Sequence, residues 1–222
     1  MSPAVGNLCH TLQYTFHNPH LLEEALTHRS AAGHSNERLE FLGDSILNMV
    51  IAAQLFAAYP QASEGELSRL RATLVKGDTL AELARELALG DCLRLGAGEL
   101  KSGGKRRASI LANALEAIFG AVFLDSDFVT CRQLILNLYQ NYLNNLPTAE
   151  ALKDPKTQLQ EYLQARGLPL PAYKILEVSG EVHAQRFTVE CNTGAVCTIA
   201  VGSSRRKAEQ QAAQQALEAI GE

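Results

Sequence analysis

Three acidic residues, Glu37, Glu40 and Asp44, recur at i, i+3 and i+7 and so fall along one stripe of any helix that contains them. The stretch around them, Asn36 to Tyr59, is otherwise apolar on most sides (Leu39, Phe41, Leu42, Ile46, Leu47, Val50) and reads as a central, buried helix. Stacked like charges destabilise a helix, and burying them without a counter-charge costs more still. A divalent cation removes both penalties. A second apolar segment, Ile110 to Leu124, repeats the pattern with Asn113 and Glu116 at i, i+3. If the two helices pack side by side, Glu40, Asp44, Asn113 and Glu116 converge on a hard, oxygen-rich site suited to magnesium, with manganese as the substitute. Such a site activates a water and neutralises a phosphate undergoing in-line displacement. For one stripe alone the competing explanation is ordinary: Glu37 complements the positive end of the helix dipole, and Glu40 and Asp44 face solvent. Two apolar helices, each with a polar pair at ligand spacing, favour the metal site.

These helices belong to a longer α-helical region from about Leu12 to Tyr142, broken at Pro60, at Gly90 and across Ser102-Gly103-Gly104. The character changes after Leu146. Pro147 and Pro155 bracket a linker, and beyond it come a helix (Lys156 to Arg166), three β-rich runs (Tyr173 to Val178, Arg186 to Cys191, Val196 to Val201) and a closing helix from Ser204 to Ile220. The expected fold class is therefore multidomain. An all-α domain spans residues 1–147, a linker spans 148–154, and a small α+β domain of order α-β-β-β-α spans 155–222.

The last helix opens Gly202-Ser203-Ser204-Arg205-Arg206-Lys207. Three cations at a helix N-terminus oppose the macrodipole, and an anion shared by them and the free backbone N–H groups resolves the conflict. A solvated charge run is the plainer alternative. Gln160, Glu161 and Gln164 share one face of the preceding helix, where polar side chains can reach ribose hydroxyls in a shallow minor groove, and His183 follows the turn at Gly180. Tyr162 and Phe187 read as core residues, and Ala208, Ala212, Ala213 and Ala216 as a packing stripe.

Bulk properties set limits. The 222 residues carry a formal net charge of −4, and from Asp154 onward seven Lys/Arg stand against eight Asp/Glu, so any phosphate-binding surface is a local patch. The five cysteines are scattered without a CxxC pair, which indicates neither a disulfide framework nor a zinc site and fits a reducing cytoplasm. There is no basic segment followed by an apolar stretch at the N-terminus, and the apolar runs near Ile46 and Ile110 are short and interrupted by Asn48 and Glu116, so neither export nor membrane insertion is expected. His10, His17, His20, His28 and His34 show no metal spacing, and no Gly-rich loop suggests a nucleotide cofactor.

The run Asn36-Glu37-Arg38-Leu39-Glu40-Phe41-Leu42-Gly43-Asp44-Ser45 resembles the signature of the ribonuclease III family. Glu64-Gly65-Glu66-Leu67-Ser68 and Gly103-Gly104-Lys105-Arg106-Arg107 followed by Ile110-Leu111-Ala112 resemble its bacterial members, and the likeness extends from His17 to Ile220. The resemblance implies a homodimeric, all-helical, magnesium-dependent endonuclease with a double-stranded-RNA-binding domain. It would leave 5′-phosphate and 3′-hydroxyl ends with staggered cuts, on substrates such as ribosomal RNA precursors and structured messenger RNAs. By position, Glu40, Asp44 and Glu116 match the family's catalytic metal ligands, Glu37 and Glu64 match acids of its cleavage valley, and Phe41 matches a residue that plugs the dimer partner. Ser204, Arg205, Arg206 and Lys207 match the phosphate-gripping segment of the binding domain, with Gln160, Glu161, Gln164 and His183 at its minor-groove contacts. One departure is Asn113, where the family usually has aspartate. An amide oxygen still ligates magnesium, with one unit less charge. The alternative from another class is a non-cleaving, dimeric double-stranded-RNA binder; Asn113 favours it, and retention of Glu40, Asp44 and Glu116 favours the enzyme.

Overall fold

The computed structural model describes residues 2–146, 154–181 and 185–221. His183 and the expected linker apart from Asp154 lie outside the described residues. The chain divides into two compact units, residues 1–149 and 150–222.

The first unit is helical: α1 (Pro3–Leu12), α2 (Pro19–Ala25), α3 (Glu37–Ala58), α4 (Glu64–Val75), α5 (Gly77–Glu86), α6 (Ala97–Lys101), α7 (Ala108–Asp125), α8 (Phe128–Leu138) and α9 (Gln140–Asn144). Helix starts are set by local chemistry. Ser2 and Asn18 cap α1 and α2 with Pro at the first turn of each, and Ser63 with Glu66 forms a reciprocal capping box at α4. Stops fall at the breakers: α3 ends one residue before Tyr59-Pro60, and Gly103 adopts φ +80° before a short 3-10 turn.

Helix α7 is the centre, burying Leu111, Leu115, Ile118 and Phe119 almost completely and packing most extensively against α3. Its end is tied down by Asp125, whose side chain is 1% exposed. That carboxylate accepts the Tyr14 hydroxyl at 2.7 Å and the backbone N–H groups of His17 and Asn18 at 2.8 and 2.7 Å. Asn48 and Glu116 do not interrupt their helices. Both α3 and α7 run unbroken, long and apolar enough to cross a membrane by length and composition alone, which corrects the reading of short, interrupted runs. Nor is α3 buried on most sides of a single chain. Leu39, Leu47, Val50, Ile51 and Leu55 face the core, yet Phe41, Met49 and Phe56 are 77%, 61% and 73% exposed, on one side of the helix next to the acidic stripe.

The second unit runs α10 (Pro155–Gln164), β1 (Ala172–Ser179), β2 (Arg186–Asn192), β3 (Cys197–Gly202) and α11 (Arg205–Gly221), the expected α-β-β-β-α order. The strands form an antiparallel sheet in sequence order, with Tyr173 opposite Cys191 and Cys191 opposite Thr198, and a bulge between Ile175 and Glu177. Its core joins Leu159 and Leu163 of α10, Cys191 and Ala200 of the sheet, and Ala212, Ala213 and Ala216 of α11. Small residues let α11 lie close: a Cβ on Gly202 would stand 2.4 Å from the Ala208 backbone nitrogen. Tyr162 and Phe187 are half-buried, not core. Tyr162 packs on the core's edge with the Arg166 guanidinium 3.5 Å from its ring centre.

Candidate functional site

Two glycines decide where the acids stand. A Cβ on Gly43 would lie 1.7 Å from the Glu116 carbonyl oxygen, and one on Gly120 would lie 2.3 Å from that of Leu39. No real side chain tolerates either distance, so α3 and α7 touch backbone to backbone. That crossing sets Glu37, Glu40 and Asp44 beside Asn113 and Glu116, and all five line one cleft of about 960 Å³.

The electrostatics are those of crowded, poorly solvated acids. Burial pushes the half-buried Glu116 carboxyl up to about 7, with further increments from Asp44 and then Glu40. Burial also raises Glu40; a hydrogen bond from Asn113 pulls it back, and Glu37 and Asp44 push it up again. Asp44 is exposed and accepts the Asn48 amide at 2.8 Å. Around the rim, Arg29 stands 3.5 Å from Glu37, and Arg107 pairs with Glu99.

Among the described residues no three His, Cys, Asp or Glu side chains form a ready-made metal cage. The acids instead face a shared open space, as mutually repelling carboxylates do. Their chemistry fits a hard divalent ion: three carboxylates and an amide oxygen, all hard donors, with a half-buried acid, Glu116, whose ionisation is opposed by burial and its acidic neighbours. Glu64 stands apart from this lining. It is exposed at the first turn of α4 and accepts the Ser68 hydroxyl at 2.7 Å. Phe41 is on the cleft's edge. Sequence reasoning missed His28, Arg29 and Arg107, which reach the cleft from segments outside both acidic helices. It also missed Gly43 and Gly120, whose available signal was glycine inside an otherwise strong helical pattern.

In the second unit Gln160, Glu161 and Gln164 are exposed on α10, opposite the buried Leu159 and Leu163. Ser204 accepts the Lys207 N–H at 3.3 Å, capping α11. The cations there are not left to oppose the dipole unaided, which corrects the expectation. Glu209, 7% exposed, binds Arg205 Nε at 2.8 Å and Lys156 Nζ at 2.6 Å. Burial would raise the Glu209 carboxyl, but these two hydrogen-bonded cations overcome it and hold it low. Arg206 is 82% exposed and 3.9 Å from Asp154. The helix end thus presents Arg205, Arg206 and Lys207 from an anchored base, with Lys156 contributed by α10, a residue the sequence pattern did not single out.

Comparison with known proteins agrees with this division. Residues 18–143 match the family model of Ribonuclease-III-like domains, and residues 155–220 match that of the double-stranded RNA binding motif. The chain is similar to two solved structures of the nuclease domain of ribonuclease III from Campylobacter jejuni. One is 41% identical with a TM-score of 0.61, over 63% of this chain and 99% of that one, and is described as flexible in a region involved in dimer formation. The other is 39% identical with a TM-score of 0.62, over 66% of this chain and 100% of that one. Helical nuclease unit, acidic cleft and α-β-β-β-α unit therefore assign this chain to the ribonuclease III family, as an endoribonuclease with a double-stranded-RNA-binding motif.

Proposed function

We propose that the protein hydrolyses phosphodiester bonds of double-stranded RNA with magnesium, or manganese in its place, leaving 5′-phosphate and 3′-hydroxyl ends. The observation that carries this reading is the convergence of Glu40, Asp44, Asn113 and Glu116 on one cleft, where Glu116 is held up to about 7 by burial and the acids beside it. Those four side chains would hold the metal, which when bound supplies charge neutralisation for the phosphate and an acidified water. Asn113 draws the Glu40 carboxyl back down against its burial, favouring the charged form that a cation needs. Asp44 is steadied by Asn48, one turn along the same helix. Glu37, paired with Arg29, lies in the lining beyond the proposed ligands.

Catalysis on both strands calls for two clefts, and the exposed Phe41, Met49 and Phe56 support a homodimer that covers this side of α3. Glu64 and Phe41 then take the valley and plug roles that the family resemblance gives them. The C-terminal unit grips the duplex. Gln160, Glu161 and Gln164 face one minor groove, His183 the next, and Ser204, Arg205, Arg206 and Lys207 the phosphates between them, over about 16 base pairs. Precursors of ribosomal RNA and structured messenger RNAs in the cytoplasm are the substrates we infer; the five free cysteines suit that compartment.

Incubation of the protein with long duplex RNA tests the reading. Discrete products with magnesium and shifted, intact RNA with calcium are expected, and Asp44→Asn or Glu116→Gln should abolish the products without abolishing the shift. Shifted, intact RNA in magnesium would leave only a duplex binder.

A further inference from the structure

The cleft that must accept an RNA strand is acidic. Among the described residues it is lined by Glu37, Glu40, Asp44, Glu99 and Glu116. Its guanidiniums, Arg29 and Arg107, already face Glu37 and Glu99. A polyanion entering such a cleft needs hydrogen-bond donors that do not themselves compete for the carboxylates. His28 is placed to be one. It is half-buried and lines the same cleft, on a loop that neither acidic helix contributes.

Its ring is fixed by two donors on one nitrogen. The Ser30 backbone N–H donates to Nδ1 at 3.2 Å, and the Ser30 hydroxyl oxygen stands 2.8 Å from the same Nδ1. That hydroxyl oxygen accepts the Gly96 N–H at 2.9 Å, which leaves its own proton to point at Nδ1. With Nδ1 accepting from both, the proton of the neutral ring sits on Nε2. The loop beneath is stapled to the segment 94–96. The His28 N–H donates to the Arg94 carbonyl at 3.0 Å, the Arg94 N–H donates to the Leu26 carbonyl at 2.9 Å, and a Cβ on Gly96 would be 2.2 Å from the Ser30 backbone carbonyl oxygen. The imidazole is therefore oriented before any substrate arrives, which lowers the ordering cost of a contact.

We propose that His28 is a further RNA-contacting residue of the cleft, offering its Nε2–H to a non-bridging phosphate oxygen of the bound strand. This rests on the nuclease reading of the cleft. Holding the loop needs only Nδ1, so the two nitrogens carry separable roles and two substitutions divide them. His28→Asn keeps an acceptor for the Ser30 N–H and loses the distal donor. His28→Gln restores an amide N–H near the Nε2 position and gives up the Nδ1 contact.

The full-length protein and both variants are to be compared for melting temperature, for equilibrium binding of a fully paired RNA duplex in calcium, and for single-turnover cleavage of it in magnesium. His28→Asn should melt within about 2 °C of the parent, bind the duplex several-fold more weakly and cut it on the order of 10-fold more slowly. His28→Gln should recover part of both losses while melting lower. The proposal is overturned if His28→Asn binds and cuts like the parent, or if both variants lose function only in proportion to their melting temperatures. A parent protein that binds but never cuts removes the nuclease reading instead, and the calcium binding comparison still judges His28.

Discussion

Replacing Gly43 by alanine adds one methyl group, and the structure predicts a severe effect. The new Cβ would sit 1.7 Å from the Glu116 carbonyl oxygen, against a normal C···O contact of about 3.3 Å, so α3 and α7 must separate locally by roughly 1.6 Å. The obstacle is helix backbone, not the flexible end of a side chain, so no rotamer change relieves it. Overpacking of this kind costs about 3 kcal/mol or more, which is roughly 6–12 °C of melting temperature for a unit of this size. Gly120→Ala should behave alike, since its Cβ would lie 2.3 Å from the Leu39 oxygen. Gly6→Ala, inside α1 with nothing within 4 Å of its Cβ, is the control and should gain about 0.5–1 kcal/mol. Because the displaced backbone carries Glu116, Gly43→Ala should also cut duplex RNA about 100-fold more slowly at temperatures where it is fully folded. Thermal melts by circular dichroism and single-turnover cleavage measure the two effects. A Gly43→Ala protein that melts within about 2 °C of the parent and retains its cleavage rate would show that the crossing does not position the site.

Three further outcomes follow from the acids. Glu116 has a folded-state pKa raised to about 7, so the unfolded chain loses this proton first as pH rises, and stability falls between the ordinary glutamate value and about pH 7. Metal-free Glu116→Gln should therefore melt higher than the parent at pH 8, match it near pH 4.5 and lack cleavage; a lower melt at pH 8 contradicts this. Asn113→Asp adds a fourth carboxylate to the proposed ligand set, so half-maximal cleavage should need less magnesium while the metal-free protein melts lower at pH 8; an unchanged magnesium titration would separate residue 113 from the metal. Burial raises the Asp125 carboxyl, but hydrogen bonds from Tyr14, Asn18 and His17 outweigh it and hold the pKa low, so its stabilisation is present above about pH 4 and fades as pH falls through the folded value. Asp125→Asn should cost about 2 kcal/mol at pH 7 by urea denaturation and much less at pH 3; an equal cost at both values would show that charge is not the cause.

Much of the fold was legible because each element announces itself locally. The acids of α3 and the Asn113-Glu116 pair of α7 are conspicuous on apolar helices, and the breakers at Pro60 and Gly103 fall where helices stop. The α-β-β-β-α order follows from the switch between periods of 3.6 and 2, and the Ala208 to Ala216 stripe is buried as its spacing implies. Periodicity reports that a face is apolar, not what covers it. The side of α3 carrying Phe41, Met49 and Phe56 has the same sequence character as the side that meets α7, and only the packing of the folded unit separates them.

The cleft lining was legible as a set of residue types and illegible as a place. Spacing along one helix fixes where Glu40 and Asp44 stand relative to each other, but whether Glu116 reaches them depends on a crossing distance, and that distance is set by the two glycines. Glycine in a helix reads as a weakness of about 1 kcal/mol. Here its missing Cβ lets the neighbouring helix approach until like charges share one cleft. The same limitation hid His28, since a lone loop histidine has no periodicity, and its significance comes from Ser30 and Gly96, which fix its tautomer, the latter from a distant part of the chain. It also hid Glu209, which in sequence is one acid after a run of cations. Buried between Arg205 and Lys156, it holds those side chains at the end of α11. In each case the decisive quantity is a long-range distance between small or polar groups, and local sequence carries no signal for it.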